Sequence, residues 1–158
     1  MRLLGFGGST GPHSSTLAAL RVVLSASASD GADTELIDAG SLDLPMYRWG
    51  ATPTADAQRL ADAFAAADAL VWASPLYHGS VSGLIKNAID WLEVLAVRQP
   101  PYLSNKPVGL IAVSAGGMAL SAIQAMEPIV RALRGWVVPL VVPIDHARDV
   151  FGPEGQVL

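Results

Sequence analysis

The chain has 158 residues, 51% of them apolar and 15% charged, with a net charge of −4 and no cysteine. That balance excludes a disordered chain, and the missing cysteines exclude disulfides, thiolate chemistry and a zinc–sulfur site. No lysine or arginine cluster offers the basic stripe a nucleic-acid partner needs, and no apolar run approaches the roughly 18 residues that span a bilayer, so a single cytoplasmic domain is expected.

Residues 1–7 carry one charge and are too short for a signal-peptide core, so 2–7 read as a buried first strand. A small polar turn follows, Gly8-Ser9-Thr10-Gly11-Pro12-His13-Ser14-Ser15-Thr16. Helical spacing of Leu17, Leu20, Val23 and Leu24 then predicts a helix over 14–26. Residues 34–39 form a shorter, more polar strand suited to an edge. Residues 40–53 are irregular, broken by Pro45, Gly50 and Pro53, and residues 55–67 are helical with Leu60, Ala61, Phe64 and Ala65 on one face.

A third strand is expected over 69–74, ending because Pro75 lacks the N–H that a central strand needs. A helix over 82–97 follows, striped by Leu84, Ile85, Ala88, Ile89, Leu92 and Leu95. Residues 107–114 give a fourth strand and 118–133 a helix that Pro128 should kink or restart. Residues 137–142 give a fifth strand.

Strands alternating with helices imply a parallel sheet with right-handed crossovers. The order suggests a flavodoxin-like three-layer α/β/α sandwich, strands 2-1-3-4-5, in one domain over 1–158. Such a fold closes with a fifth helix, which the sequence stops short of. A segment beyond Leu158, or a partner covering one face, is the expectation.

Ligands in open α/β sheets bind at the carboxyl edge, where the loops after strands one, three and four meet. The first loop sets Ser9, Ser14, Ser15 and Thr16 at the start of a helix, where free N–H groups and a partial positive charge suit an anion, although serines also cap helices without one. Its glycines match neither the P-loop nor the dinucleotide fingerprint. The second loop, Pro75-Leu76-Tyr77-His78-Gly79-Ser80, suits a flat ligand or a plain βα turn with Ser80 or Ser82 as cap. In the third, Gly116 and Gly117 after Ser114 let backbone approach a ligand closely. A nucleophile elbow over 112–116 has alanine in place of its first glycine, and His146 is the one histidine late in the chain.

Together these residues resemble the NADPH-dependent FMN reductase family, which includes chromate, quinone and azo-dye reductases, over nearly the whole chain. The stretch 74–91, SPLYHGSVSGLIKNAIDW, is similar to the family's Pro-x-Tyr-Asn-Gly-Ser-x-x-Gly-x-Leu-Lys-Asn-Ala-Ile-Asp-Trp. Gly8-Ser9 with Ser14 is similar to its phosphate loop, and Lys106-Pro107-Val108 through Gly116-Gly117 to its third segment. The resemblance implies FMN as cofactor and NADPH or NADH as co-substrate. A small-molecule acceptor takes the electrons in a ping-pong cycle, and the protein is a homodimer or homotetramer. Ser9, Ser14, Ser15 and Thr16 would bind the phosphate. Pro75, Leu76, Tyr77, His78, Gly79 and Ser80 would line the isoalloxazine, and Ser114, Gly116 and Gly117 would reach its pyrimidine edge.

Hydride would pass from the nicotinamide to the flavin, so the chemistry belongs to the cofactor and no side-chain acid or base is required. Three positions depart from the family. Its loop arginine falls at Gly11 and its later asparagine at Thr16, removing a charge-assisted bond of about 1.5–3 kcal/mol. That is about one to two orders of magnitude in affinity, and His13 would offset part of it when protonated. His78 stands where the family often has asparagine. A flavodoxin-like electron carrier, a non-catalytic flavin binder and a reductase that releases reduced FMN are the other readings. The apolar stretch of Trp91, Leu95, Val97, Pro100, Pro101 and Tyr102 suits either an oligomer contact or a helix end in the core.

Overall fold

The computed structural model describes residues 1–11 and 13–158; Pro12, inside the first loop, lies outside the described residues. The opening apolar run forms β1 (Arg2–Gly7), buried at every residue after Arg2, as a strand covered on both faces must be. Helix α1 (Ser15–Ser29) starts where Ser14 caps it, accepting the Leu17 N–H at 3.2 Å. There follow β2 (Asp33–Asp38) and α2 (Ala55–Ala66), capped by Thr54, then β3 (Ala69–Tyr77), β4 (Ser80–Val81) and α3 (Gly83–Asp90). The last elements are β5 (Pro107–Val113), α4 (Ala119–Ala132) and β6 (Trp136–Ile144).

The parallel strands run in the order β2-β1-β3-β5-β6, the flavodoxin-like order the sequence predicts for five strands. The additional strand β4 turns back antiparallel on β3, pairing Leu76 with Val81 and Tyr77 with Ser80. Two apolar layers flank the sheet. On one side Phe6 meets both Phe64 and Trp72 edge to face, the two phenyl rings 5.1 Å apart, beneath α2, α3 and α4. On the other, Leu17, Leu20 and Leu24 of α1 pack on Leu3, Val71, Ile111 and Val113. The chain beyond β6 returns to this face and buries Ala147 and Phe151. Among the described residues no helix is long and apolar enough to cross a membrane.

The expectation that β3 ends at Ser74 is wrong. The strand runs through Pro75 to Tyr77, and Pro75 pairs with Val113 of β5. The last pair between β1 and β3 is Gly7 with Ala73, so β3 has lost one neighbour before the proline, and the missing N–H breaks no ladder there. Helix α4 likewise continues past Pro128 without a restart. The predicted helix over 82–97 divides instead into α3 and a 3-10 segment, Trp91–Val97. Within it Trp91 and Leu95 are buried in the core, which removes them from the suggested oligomer contact, whereas Val97 is exposed.

Candidate functional site

Since β1, β3 and β5 are consecutive in the sheet, the segments leaving their carboxyl ends emerge side by side. The middle one is the β3–β4 hairpin. Its tip, His78 at φ 50° and Gly79 at φ 79°, has the two positive φ values of a type I′ turn, whose twist suits a two-residue hairpin. Ser74, fully buried, secures the hairpin from below. Its hydroxyl donates to the Pro75 carbonyl at 2.9 Å and accepts the Ser82 N–H at 3.1 Å. Ser82 in turn caps α3, accepting the Ile85 N–H at 3.2 Å. The hairpin therefore projects from a pinned base: Pro75 is buried, Leu76 and Ser80 are half-buried, and Tyr77, His78 and Gly79 are exposed.

The β1 segment enters the first loop through close backbone approaches. A Cβ on Gly40 would lie 2.6 Å from the Ser9 carbonyl oxygen, and one on Gly8, which has φ 135°, would lie 2.2 Å from Asp38 Oδ1. The loop after β2 thus abuts Ser9, and Asp38 turns its carboxylate inward to accept the Gly40 N–H at 2.9 Å. Ser9 Oγ accepts the Gly11 N–H at 3.4 Å. Ser14 and Ser15 are half-buried and Thr16 is buried at the start of α1, whose first N–H groups lie outside the intrahelical ladder. A hydroxyl that accepts a backbone N–H, as those of Ser9 and Ser14 do, keeps its own proton for a further acceptor.

After β5, Ser114 acts as a hub. Its hydroxyl donates to the Gly117 carbonyl at 2.9 Å and accepts the Gly116 N–H at 3.2 Å, and its backbone bonds Ile144 and Ala147. Gly116 and Gly117 are exposed, and a Cβ on either would meet nothing within 4 Å, so the rim beside the hairpin is open. Helix α4 begins without a cap of its own; Asp145, 26 residues on, accepts the Ala119 N–H at 2.8 Å.

Sequence reasoning missed two residues of the signature stretch. Asn87 accepts the Tyr47 N–H at 2.8 Å and donates to the carbonyls of Pro45 (3.1 Å) and Leu44 (3.4 Å). Trp91 Nε1 donates to the Pro45 carbonyl at 2.8 Å, and its ring meets Tyr47 edge to face at 5.3 Å. These bonds hold the long loop after β2. Burial, then the carboxylates of Glu93 and Asp90, push the Tyr47 phenol up. A polar Asn in α3 and the Trp just after its end were the available signal; their partners, about forty residues away, were not readable.

A helix start rich in hydroxyls, an exposed aromatic at a hairpin tip and an open glycine rim, on three neighbouring strands, fit a flat ligand carrying a phosphate. The family model for NADPH-dependent FMN reductase matches residues 1–149. An FMN-dependent NADPH-azoreductase of Staphylococcus aureus is 36% identical over 111 residues, covering 65% of this chain and 56% of that protein. The chain thus spans little more than half the length of the curated relatives it matches. Among solved structures, FerB of Paracoccus denitrificans, a flavoenzyme NAD(P)H:acceptor oxidoreductase, superposes with a TM-score of 0.76 at 26% identity, covering 99% of this chain and 85% of that one. An oxidoreductase of Corynebacterium diphtheriae gives 0.77 at 25%, covering 98% and 87%. An archaeal flavodoxin, at 13% identity and a TM-score of 0.64 over 91% of this chain and 82% of that one, shares the fold.

Proposed function

The chain belongs to the NADPH-dependent FMN reductase family, and from that premise we propose that it binds FMN at the carboxyl edge of its sheet and reduces a small-molecule acceptor with NADPH or NADH. Quinones, azo compounds, metal oxyanions and free flavin are the acceptor classes. The observation that carries the reading is the open rim at Gly116 and Gly117 beside a hairpin tip with Tyr77 51% exposed, one strand from the hydroxyl-bearing start of α1.

In this reading Ser9, Ser14, Ser15 and Thr16 hold the phosphate, with the hydroxyl protons of Ser9 and Ser14 available to its oxygens. Leu76, Tyr77, His78, Gly79 and Ser80 line the ring. Pro75 and Ser114 act one step back: Pro75 is buried, and the Ser114 hydroxyl is engaged by Gly116 and Gly117, so both shape backbone that touches the ring. FMN, when bound, supplies the hydride-accepting chemistry. The chain's part is to hold two flat rings face to face and to offer backbone N–H groups where the reduced ring gains charge.

The same reading includes a cytoplasmic setting and a homodimer or homotetramer. A groove of about 400 Å³ lined by Tyr47, Trp49, Pro53, Val94 and Val97 supports self-association, with Trp49 85% and Val97 88% exposed. The test is a titration of purified protein with FMN and FAD, then NADPH and NADH oxidation with quinone, chromate and azo-dye acceptors, and light scattering for mass. Saturable FMN binding and acceptor-dependent oxidation are expected. A protein that binds no FMN and oxidises neither nucleotide sinks the reading.

A further inference from the structure

The first loop has a cation that its own residues do not supply. A cavity of about 80 Å³ lies at the start of α1, between His13, Ser14, Ser15 and Arg21 on one side and residues 152–155 on the other. Arg21 comes seven residues after Ser14. At 100° per residue that is about 20° short of two full turns, so the two share one face of the helix. Helical side chains lean toward the N-terminus, which carries a long arginine from Arg21 back toward Ser14 and Ser15. Among the described residues Arg21 forms no ion pair; the five pairs use Arg2, Arg59, Lys86, Arg98 and Arg131.

The electrostatic surroundings call for such a charge. Asp38 sits at Gly8 and Gly40, beside Ser9, and Glu154 lines the cavity itself. A phosphate would add about 1.5–2 further negative charges, against a helix end worth roughly +0.5. Hydroxyls orient such an anion without neutralising it. Among the described residues, Arg21 is the only lysine or arginine lining the cavity.

We propose that Arg21 is a phosphate-binding residue, its guanidinium reaching back along α1 to the FMN phosphate held by Ser14 and Ser15. The inference rests on the FMN reading above and adds to it a residue from the body of the helix. It also predicts where discrimination lies: Arg21 distinguishes FMN from riboflavin, which has the same ring and no phosphate.

The experiment is a fluorescence titration of wild type, Arg21→Met and Arg21→Lys with FMN and with riboflavin, the fold checked by thermal melting. Arg21 is exposed, so both variants are expected to fold. Wild type should favour FMN. Arg21→Met should bind FMN about tenfold more weakly while riboflavin affinity is unchanged, the loss of one solvated charge-assisted bond, and Arg21→Lys should recover part of it. If wild type favours FMN and Arg21→Met keeps the same FMN-to-riboflavin ratio, the assignment of Arg21 is overturned and the FMN reading stands. A selective loss of NADPH over NADH use in that variant, with the flavin ratio unchanged, also overturns it, moving the cation to the nucleotide's extra phosphate. If wild type binds neither flavin, both fall together.

Discussion

Ser74 and Ser82 are joined across the base of the β3–β4 hairpin: the Ser82 N–H donates to Ser74 Oγ at 3.1 Å, and both residues are buried. One hydroxyl thereby fixes the angle at which strand, hairpin and α3 meet. Ser74→Ala leaves that N–H buried and unpaired, a loss of about 1–3 kcal/mol. For a chain of this size the melting temperature should fall by roughly 2–4 °C for each kcal/mol. Thermal unfolding checks it, and an unchanged melting temperature would show that the hairpin is held elsewhere.

His78 occupies a left-handed position, at φ 50°, which asparagine tolerates well and β-branched residues do not. His78→Asn should melt at or slightly above the wild-type temperature. His78→Val should lose about 1–2 kcal/mol. Equal stabilities for the two variants would argue against the type I′ turn.

Gly116→Val separates folding from binding. A side chain there meets nothing within 4 Å and φ is not positive, so the melting temperature should stay within about 2 °C of wild type. The same branched group would stand where the proposed FMN site puts the ring edge, and FMN binding should drop at least tenfold. Wild-type FMN affinity in a folded Gly116→Val protein would remove the third loop from the site.

Asn87→Ala removes the three bonds that hold residues 44–47. The loop should open locally more often, so tryptic cleavage after the exposed Arg48, followed by mass spectrometry, should be several-fold faster than in wild type. Equal cleavage rates would mean that Trp91 alone secures the loop.

Lys106 lies at the opposite end of the sheet from the site. Its ammonium donates to the carbonyls of Phe64 (2.9 Å), Ala65 (2.6 Å) and Ala67 (2.6 Å), closing the end of α2. Burial, partly opposed by Asp68, holds its pKa below the usual lysine value of 10.5. With the folded value depressed, the unfolded chain binds more protons between the two pKa values, so this group's contribution to stability rises with pH up to that usual value. Lys106→Met should destabilise the fold at pH 7 and lack this rise. Urea unfolding at pH 7 and near pH 10 should therefore show the gap to wild type widening. A gap that narrows at alkaline pH would contradict the depressed value.

The β1, α1, α2 and β5 elements, the strand order and the meeting of three loops at the carboxyl edge of the sheet were legible in the sequence. Each rests on local physics: apolar runs long enough for one strand, helical spacing of leucines, and serines or glycines where helices begin and loops tighten. Two tertiary facts decided what could not be read locally. A proline is compatible with a strand when the neighbouring strand has already ended, and only the register of Gly7 against Ala73 shows that Pro75 meets this condition. A tryptophan belongs to the core when a distant segment covers it, and Trp91 is buried beneath Tyr47 and Pro45. Arg21, exposed on α1, shares a cavity with residues 152–155, a neighbourhood that sequence spacing does not show. Short-range chemistry told which residues could serve a site; only the folding together of residues far apart in the chain decided which of them stand side by side.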